Sequence, residues 1–381
     1  MKFIKPFVLL KMNICHFNIQ PMQPVKELSV KRYDSLDYLR GLAASGVMAY
    51  HMSLFTFGES DSSTFIARVK IYAVSIFYVL SGLTLYIANS KLQANKESIS
   101  IFYLKRFFRI VPLLWLATIF TYLLKTNQDM YTIKHLIVNI TVLPGMIRSD
   151  AFEANGAWSI GNELFFYVFF PVLFFLNKVK RIYFVAAVIV IFAAFALFTF
   201  KLLDPNITLG FQWFRYVNPF NQFFFFAIGI YIATLQKSPS WLIKWAPIFI
   251  IFLLAGIILY PATGEPVILV TGVTRLVLSA LTILMCYMFY ISDFSFLPTL
   301  VKRFLKYLGD TSYSIYLLHP LIYLILKHLS DKYFAINSYA LISATVLLTL
   351  VMSKIVYEQF EKYFMQMGKS VIDKKLATSK K

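Results

Sequence analysis

Arg40 and His51 stand eleven residues apart in the apolar segment Leu36–Phe57. That is about three helical turns, or ~16 Å, so both point from nearly one face of a helix. Asp37, three residues before Arg40, is spaced to pair with it. Arg40 also suits a snorkelling anchor, and His51 also suits a hydrogen-bonded structural histidine. A neutral imidazole inside a helix bundle is tolerated and acts as a base near neutral pH. Lys105-Arg106-Phe107-Phe108-Arg109 opens a third apolar segment. Arg106 and Arg109, one turn apart, are spaced either to grip phosphates together or to anchor the helix at a membrane face. Trp158-Ser159-Ile160-Gly161-Asn162-Glu163 opens a fourth segment, with the carboxylate one to two turns inside it. Counting turns from the segment ends brings His51 and Glu163 to one depth, which predicts a base and its orienter. Arg275 is either a counter-ion to Glu163 or a sign that its helix starts later than its apolar run. Tyr313, Ser314, Tyr316 and His319-Pro320 share a ninth segment. His319 either lines a cavity or bonds to the carbonyl that Pro320 frees. No spacing suits a metal.

The elements that must position these groups follow from composition. The chain is 59% hydrophobic and 14% charged, against about 25% charged residues in soluble domains. So few charges cannot cover a water-exposed surface over 381 residues. The expectation is an all-α polytopic membrane protein with ten spans: Leu36–Phe57, Ile71–Asn89, Ile110–Leu124, Ala157–Leu176, Ile182–Phe200, Phe220–Leu235, Trp245–Tyr260, Val267–Ile291, Thr311–Leu326 and Ser338–Gln359. Each approaches the ~20 residues that a crossing needs. Ile133–Ile147, broken by Pro144-Gly145, reads as a re-entrant or interfacial piece, with a span as the alternative. The 39 Phe suit lipid contact, and the Tyr and Trp suit the interfaces.

The charge pattern predicts both termini in the cytoplasm. Most of the 37 Lys and Arg lie in the tails and in loops such as Lys178-Val179-Lys180-Arg181 and Lys302–Lys306, whereas Glu59, Asp61, Asp150, Glu153 and Glu265 fall in the opposite loops. That asymmetry follows the positive-inside rule and accounts for the net charge of +19 without nucleic acid. Residues 1–33 read as a cytoplasmic tail, 34–360 as the membrane domain, and 361–381 as a basic tail, disordered from Lys369. The run Phe7–Leu10 is too short for a signal-peptide core. Cys15 and Cys286 are not expected to bridge.

The motifs together resemble integral-membrane acyltransferase family 3. They are Leu36-Asp37-Tyr38-Leu39-Arg40-Gly41 with His51, Phe77-Tyr78-Val79-Leu80-Ser81-Gly82, Arg106-Phe107-Phe108-Arg109-Ile110-Val111-Pro112, Trp158-Ser159 with Glu163, and Ser312-Tyr313-Ser314-Ile315-Tyr316-Leu317-Leu318-His319. Asn162 and Tyr78 depart from the commoner residues of the family. The resemblance implies an acyltransferase of a bacterial inner membrane, with an acyl-CoA, such as acetyl-CoA, as donor substrate and no permanently bound cofactor. The acceptor it implies is a hydroxyl of a surface polysaccharide or of its lipid-linked precursor. Arg106 and Arg109, grouped with Arg40, would hold the donor. His51 and Glu163 would be catalytic, and Ser81, Trp158, Arg275, Tyr313 and His319 would line the cavity. No appended extracytoplasmic domain is expected. The alternative is a glycan transporter or flippase, although no paired broken helices in two matching halves are evident.

Overall fold

The computed structural model describes residues 33–125, 133–141, 144–147, 149–235, 238–334 and 336–379. Cys15 and the expected N-terminal tail up to Arg32 lie outside them. Thirteen helices organise the described chain: α1 (Asp34–Phe57), α2 (Phe65–Ala88), α3 (Lys96–Lys125), α4 (Ile133–Ile140), α5 (Ala157–Val179), α6 (Arg181–Leu197), α7 (Pro219–Ala233), α8 (Ser240–Leu259), α9 (Gly272–Ile291), α10 (Thr299–Asp310), α11 (Ser312–Leu329), α12 (Ser338–Val356) and α13 (Lys362–Ser379). Short 3-10, π and single-turn pieces join them. No strand occurs among the described residues. The protein is an all-α polytopic membrane protein. α1 runs from the proximal end of the bundle, at Asp34, to the distal end, at Phe57.

All ten expected apolar segments fall on helices. Seven helices are long and apolar enough to cross a membrane by length and composition. The other three are polar or short: α1 carries Asp37, Arg40 and His51, α11 carries Ser314, His319 and Pro320, and α7 has 15 residues. Half or more of the residues in each of these three are buried among other helices, where a polar group can meet a partner instead of lipid. α6 and α8 have the opposite character. Val190 (70% exposed) and Phe252 (68%) present an apolar surface to lipid.

Two helices start earlier than their apolar runs, and one apolar stretch is too short to cross. α2 begins at Phe65, so Arg68 lies inside it and is buried. Its guanidinium donates to the Ile257, Ile258 and Tyr260 carbonyls, at 2.5, 2.6 and 2.6 Å, where α8 ends, satisfying carbonyls that a helix end leaves orphaned. α3 begins at Lys96, so the Arg106–Arg109 motif sits well inside it rather than opening it. The described residues of the Ile133–Ile147 stretch form the eight-residue α4 and a turn at Pro144–Ile147. At 1.5 Å per residue α4 reaches about 12 Å, well short of a crossing. Trp115 Nε1 holds it against α3 by donating to the Ile140 carbonyl at 2.7 Å.

The C-terminal stretch read as disordered is helical through Ser379. α13 packs on α3: Gly368 lies against the Phe108 ring, and Lys375 Nζ donates to Ser100 Oγ at 2.6 Å.

Phenylalanine fills the interior as well as the lipid face. Phe166, Phe170, Phe174, Phe195, Phe225 and Phe226 are fully buried. Phe166 stacks on Phe223 with centroids 5.1 Å apart, which locks α5 to α7. Such pairs are worth about 0.5–1.5 kcal/mol beyond their buried area. α2 and α7 approach backbone to backbone, because a Cβ on Gly82 would overlap the Phe226 carbonyl and one on Gly229 the Val79 carbonyl. Small residues are what allow membrane helices to pack this closely.

Gly82→Ala should therefore cost about 1–3 kcal/mol by overpacking. Gly256→Ala should cost little, since a Cβ there meets only Leu281 at 3.5 Å. Melting curves of the purified proteins test this, and equal melting temperatures for the two variants would refute the close crossing.

Candidate active site

Two cavities meet inside the bundle. The proximal one, of about 100 Å³, brings together Arg40, Arg106, Arg109, Ser81, Glu163 and Tyr313. Five stretches distant in sequence supply them, and the contacts show how. Gly41 and Gly309 let α1 and α10 touch, because a Cβ on Gly41 would lie 2.6 Å from the Gly309 nitrogen. That contact fixes the proximal end of α1. Arg40 pairs with Asp37 at 3.5 Å, as its spacing predicts, and its other nitrogen reaches Thr84 Oγ1 at 3.5 Å. Tyr313 donates to the Ile110 carbonyl at 2.7 Å and ties α11 to α3 beside Arg109.

Glu163 is held inside this cavity. Ser81 Oγ donates to its Oε1 at 2.5 Å, and the Tyr167 hydroxyl donates to the same oxygen. Arg106 Nε is buried without a hydrogen-bond partner. Three guanidinium groups thus share a small enclosed space with one carboxylate. That imbalance favours an anion, and the one-turn spacing of Arg106 and Arg109 suits the tetrahedral oxygens of phosphate.

The distal cavity, of about 350 Å³, is lined by His51, Glu59, Lys70, Trp158, Trp213 and Tyr316, among others. Trp158 and Trp213 meet edge to face at 5.6 Å, and Tyr216 completes the cluster. Glu59 and Lys70 pair at 2.8 Å. Glu265 accepts from the Leu209 and Val267 amides at 3.0 and 2.6 Å, which ties two rim loops together. Asp61 accepts from the Ser63 and Gly264 amides at 2.8 Å. The Ser63 hydroxyl first, and then these two amides, hold its carboxyl below the usual carboxylate range, so this loop clasp is lost as the solution is acidified through that lowered value. Tyr316 lines both cavities. Its hydroxyl meets Ser159 Oγ at 2.7 Å and donates to the Gly156 carbonyl at 3.2 Å. Gly156, at φ +83°, leaves no room for a Cβ beside the Tyr316 ring.

His51 does not pair with Glu163. Its Nδ1 lies 2.7 Å from Nε2 of His319, and His319 Nδ1 lies 2.7 Å from the Ile315 carbonyl. The carbonyl only accepts, so His319 Nδ1 carries a proton. In a neutral His319 the Nε2 is then an acceptor, and His51 Nδ1 must be the donor. His51 Nε2 is left with its lone pair. Phe55 stacks on the His51 ring at 5.4 Å and fixes its plane.

The remaining candidates divide between the cavities. Ser81 and Tyr313 line the proximal one and Trp158 the distal one; His319, expected to line the cavity, lines neither and touches the distal one only through its bond to His51. Arg275 lines neither and is not the counter-ion of Glu163. Its helix starts at Gly272, later than its apolar run, so Arg275 sits in the first turn. There it is buried over the Phe195 ring at 4.3 Å and donates to the Val270 and Asn221 carbonyls at 3.3 Å. Glu361 is a buried carboxylate that the sequence reading assigned to the tail; it accepts from Ser314 Oγ at the π turn Tyr357–Glu361. No cluster of metal-ligating residues occurs among the described residues.

A family model described as an acyltransferase domain matches residues 33–355. The chain belongs to acyltransferase family 3 and is a membrane acyltransferase. No curated protein and no solved structure matches it.

Nitrogen NMR of histidine-labelled protein should find His51 protonated at Nδ1 and bare at Nε2. A His51 protonated at Nε2 alone would refute the hydrogen-bond order deduced above.

Proposed function

We propose that the protein moves an acetyl group from acetyl-CoA to a hydroxyl of a surface polysaccharide or its lipid-linked precursor in a bacterial inner membrane. Ten helices cross, both termini are cytoplasmic, and the proximal cavity opens to the donor. Arg106, Arg109 and Arg40 hold the donor phosphates. The acceptor enters the distal cavity, where aromatic faces and carboxylates suit a polyhydroxylated ring.

The observation that carries this reading is the chain from Ile315 through His319 to His51, which leaves a base in the wall of the distal cavity, and that cavity shares Tyr316 with the proximal one. A hydroxyl is a weak nucleophile until a base takes its proton. His51 Nε2 takes that proton as the acceptor oxygen attacks the thioester carbonyl. The tetrahedral intermediate then collapses, the carbon–sulfur bond breaks, and the imidazolium returns the proton to the departing thiolate. His319 holds the ring and its tautomer, in the place first expected for Glu163. Glu163 instead fixes Ser81 and Tyr167 on the donor side and offsets part of the guanidinium charge.

Arg106→Ala and Arg109→Ala should each raise the donor KM about ten- to a hundredfold, from the roughly 1.5–3 kcal/mol of a charge-assisted contact. Arg106→Lys should also weaken binding, because an ammonium lacks the planar fork. Unchanged donor KM in both alanine variants would return the two arginines to anchoring.

His51→Ala should lower transfer about 10²–10⁴-fold while the donor still binds. Near-normal turnover in a folded His51→Ala protein would end the assignment. Incubation with labelled donor alone separates direct transfer from an acyl-histidine route: direct transfer leaves the protein unlabelled, whereas label held by the wild type and absent from His51→Ala favours the covalent route. A wild type with no saturable binding of acetyl-CoA would favour glycan transport instead.

A further inference from the structure

We propose that α10 lies in the plane of the membrane and holds anionic phospholipid headgroups at the proximal face. The helix has 12 residues, about 18 Å, too short to cross. Leu300, Val301, Phe304 and Leu308 fall on one side of it, and Lys302, Arg303 and Lys306 on the other. Only Leu308 of the apolar set is buried in the bundle. Leu300 is 78% exposed, Phe304 53% and Val301 40%, and Phe296, just ahead of the helix, is 64% exposed.

The C-terminal end of α10 is fixed at the level where α1 begins. Lys306 Nζ bonds Asp34 Oδ1 at 2.9 Å, and Gly309 packs directly on the Asp37 backbone. α1 enters the bundle there, so the exposed apolar arc of α10 lies at a membrane boundary, with acyl chains to cover it. The opposite arc then faces the headgroup layer. Lys302 is turned along it, its ammonium donating to the Ser295 carbonyl at 3.1 Å at the surface. Arg303 is exposed, and its planar fork suits a phosphate diester. An interfacial helix binds through apolar area and through attraction to anionic lipid together. Each basic residue at such a surface contributes about fivefold in affinity. The basic arc commits the site to a lipid such as phosphatidylglycerol rather than a zwitterionic one. The inference goes beyond the acyl-donor reading, since lipid binding needs no donor.

Native mass spectrometry of the full chain, titrated with phosphatidylglycerol or phosphatidylcholine, tests it. K302Q/R303Q should lose about ten- to thirtyfold in apparent affinity for phosphatidylglycerol. K201Q/K332Q, which removes the same charge at the distal face, should bind as the wild type does. Phe304→Gln should also weaken binding although it leaves the charge intact. Should K302Q/R303Q fail to fold, the exposed single variant Arg303→Gln carries the test, with about a fivefold loss expected. Wild-type affinity in the charge variants overturns the proposal. So does an equal loss in K201Q/K332Q, or displacement of the lipid by inorganic phosphate, which would make the arc a site for the free anion.

Discussion

Charged and hydrogen-bonding side chains must be kept out of hydrocarbon, and the arrangement of the helices follows from that constraint. A charged group costs about 2.5–3.5 kcal/mol to insert unshielded. Arg40, Arg106, Glu163, His51 and His319 sit on α1, α3, α5 and α11, and the bundle closes around them. The apolar helices α6 and α8 take much of the lipid contact. The polar helices can then be less hydrophobic than a lone span, as α1 and α11 are. Glycine contacts at Gly82 with Gly229 and at Gly41 with Gly309 bring the helix axes close enough to exclude lipid between them.

The same packing divides the interior by chemistry. The proximal cavity collects guanidinium groups around one hydrogen-bonded carboxylate. The distal cavity collects aromatic rings and carboxylates around one imidazole. Tyr316 stands at the boundary, held by Ser159 and by the space that Gly156 leaves open. An acyltransferase must bring a donor and an acceptor to one carbon atom. Separate chambers that touch at a single wall meet that need.

Much of this was legible in the chain. Apolar runs located the ten principal helices, because length and hydropathy are properties of a single segment. The i,i+3 pairing of Asp37 with Arg40 was legible for the same reason. The gathering of Arg106 and Arg109 in one cavity followed from one-turn spacing. The partner of His51 was not legible. Turn counting gives depth along a helix but not the direction in which a side chain points across the bundle. Glu163 stood at a suitable depth, yet Ser81 and Tyr167 satisfy it, and α11 presents His319 instead. Those histidines are 268 residues apart, and only tertiary packing sets their facing. The place of Arg68 was not legible, and that of Arg275 was legible only as one of two alternatives, for another reason. Both lie near helix starts, where a few residues decide between loop and first turn. Glu361 was missed because the π turn that aims it inward leaves no mark in apolar periodicity.

Whether His319 acts through His51 is read directly from a double-mutant cycle on the acyl-transfer rate. The rate constants of His51→Ala, His319→Ala and the double variant would be compared at saturating donor, with donor affinity measured separately to confirm intact folding. The account predicts that the double variant is no slower than His51→Ala alone, since an orienter has nothing to orient once the base is gone. Losses that multiply, so that removing His319 slows the His51→Ala protein as much as it slows the wild type, would contradict it.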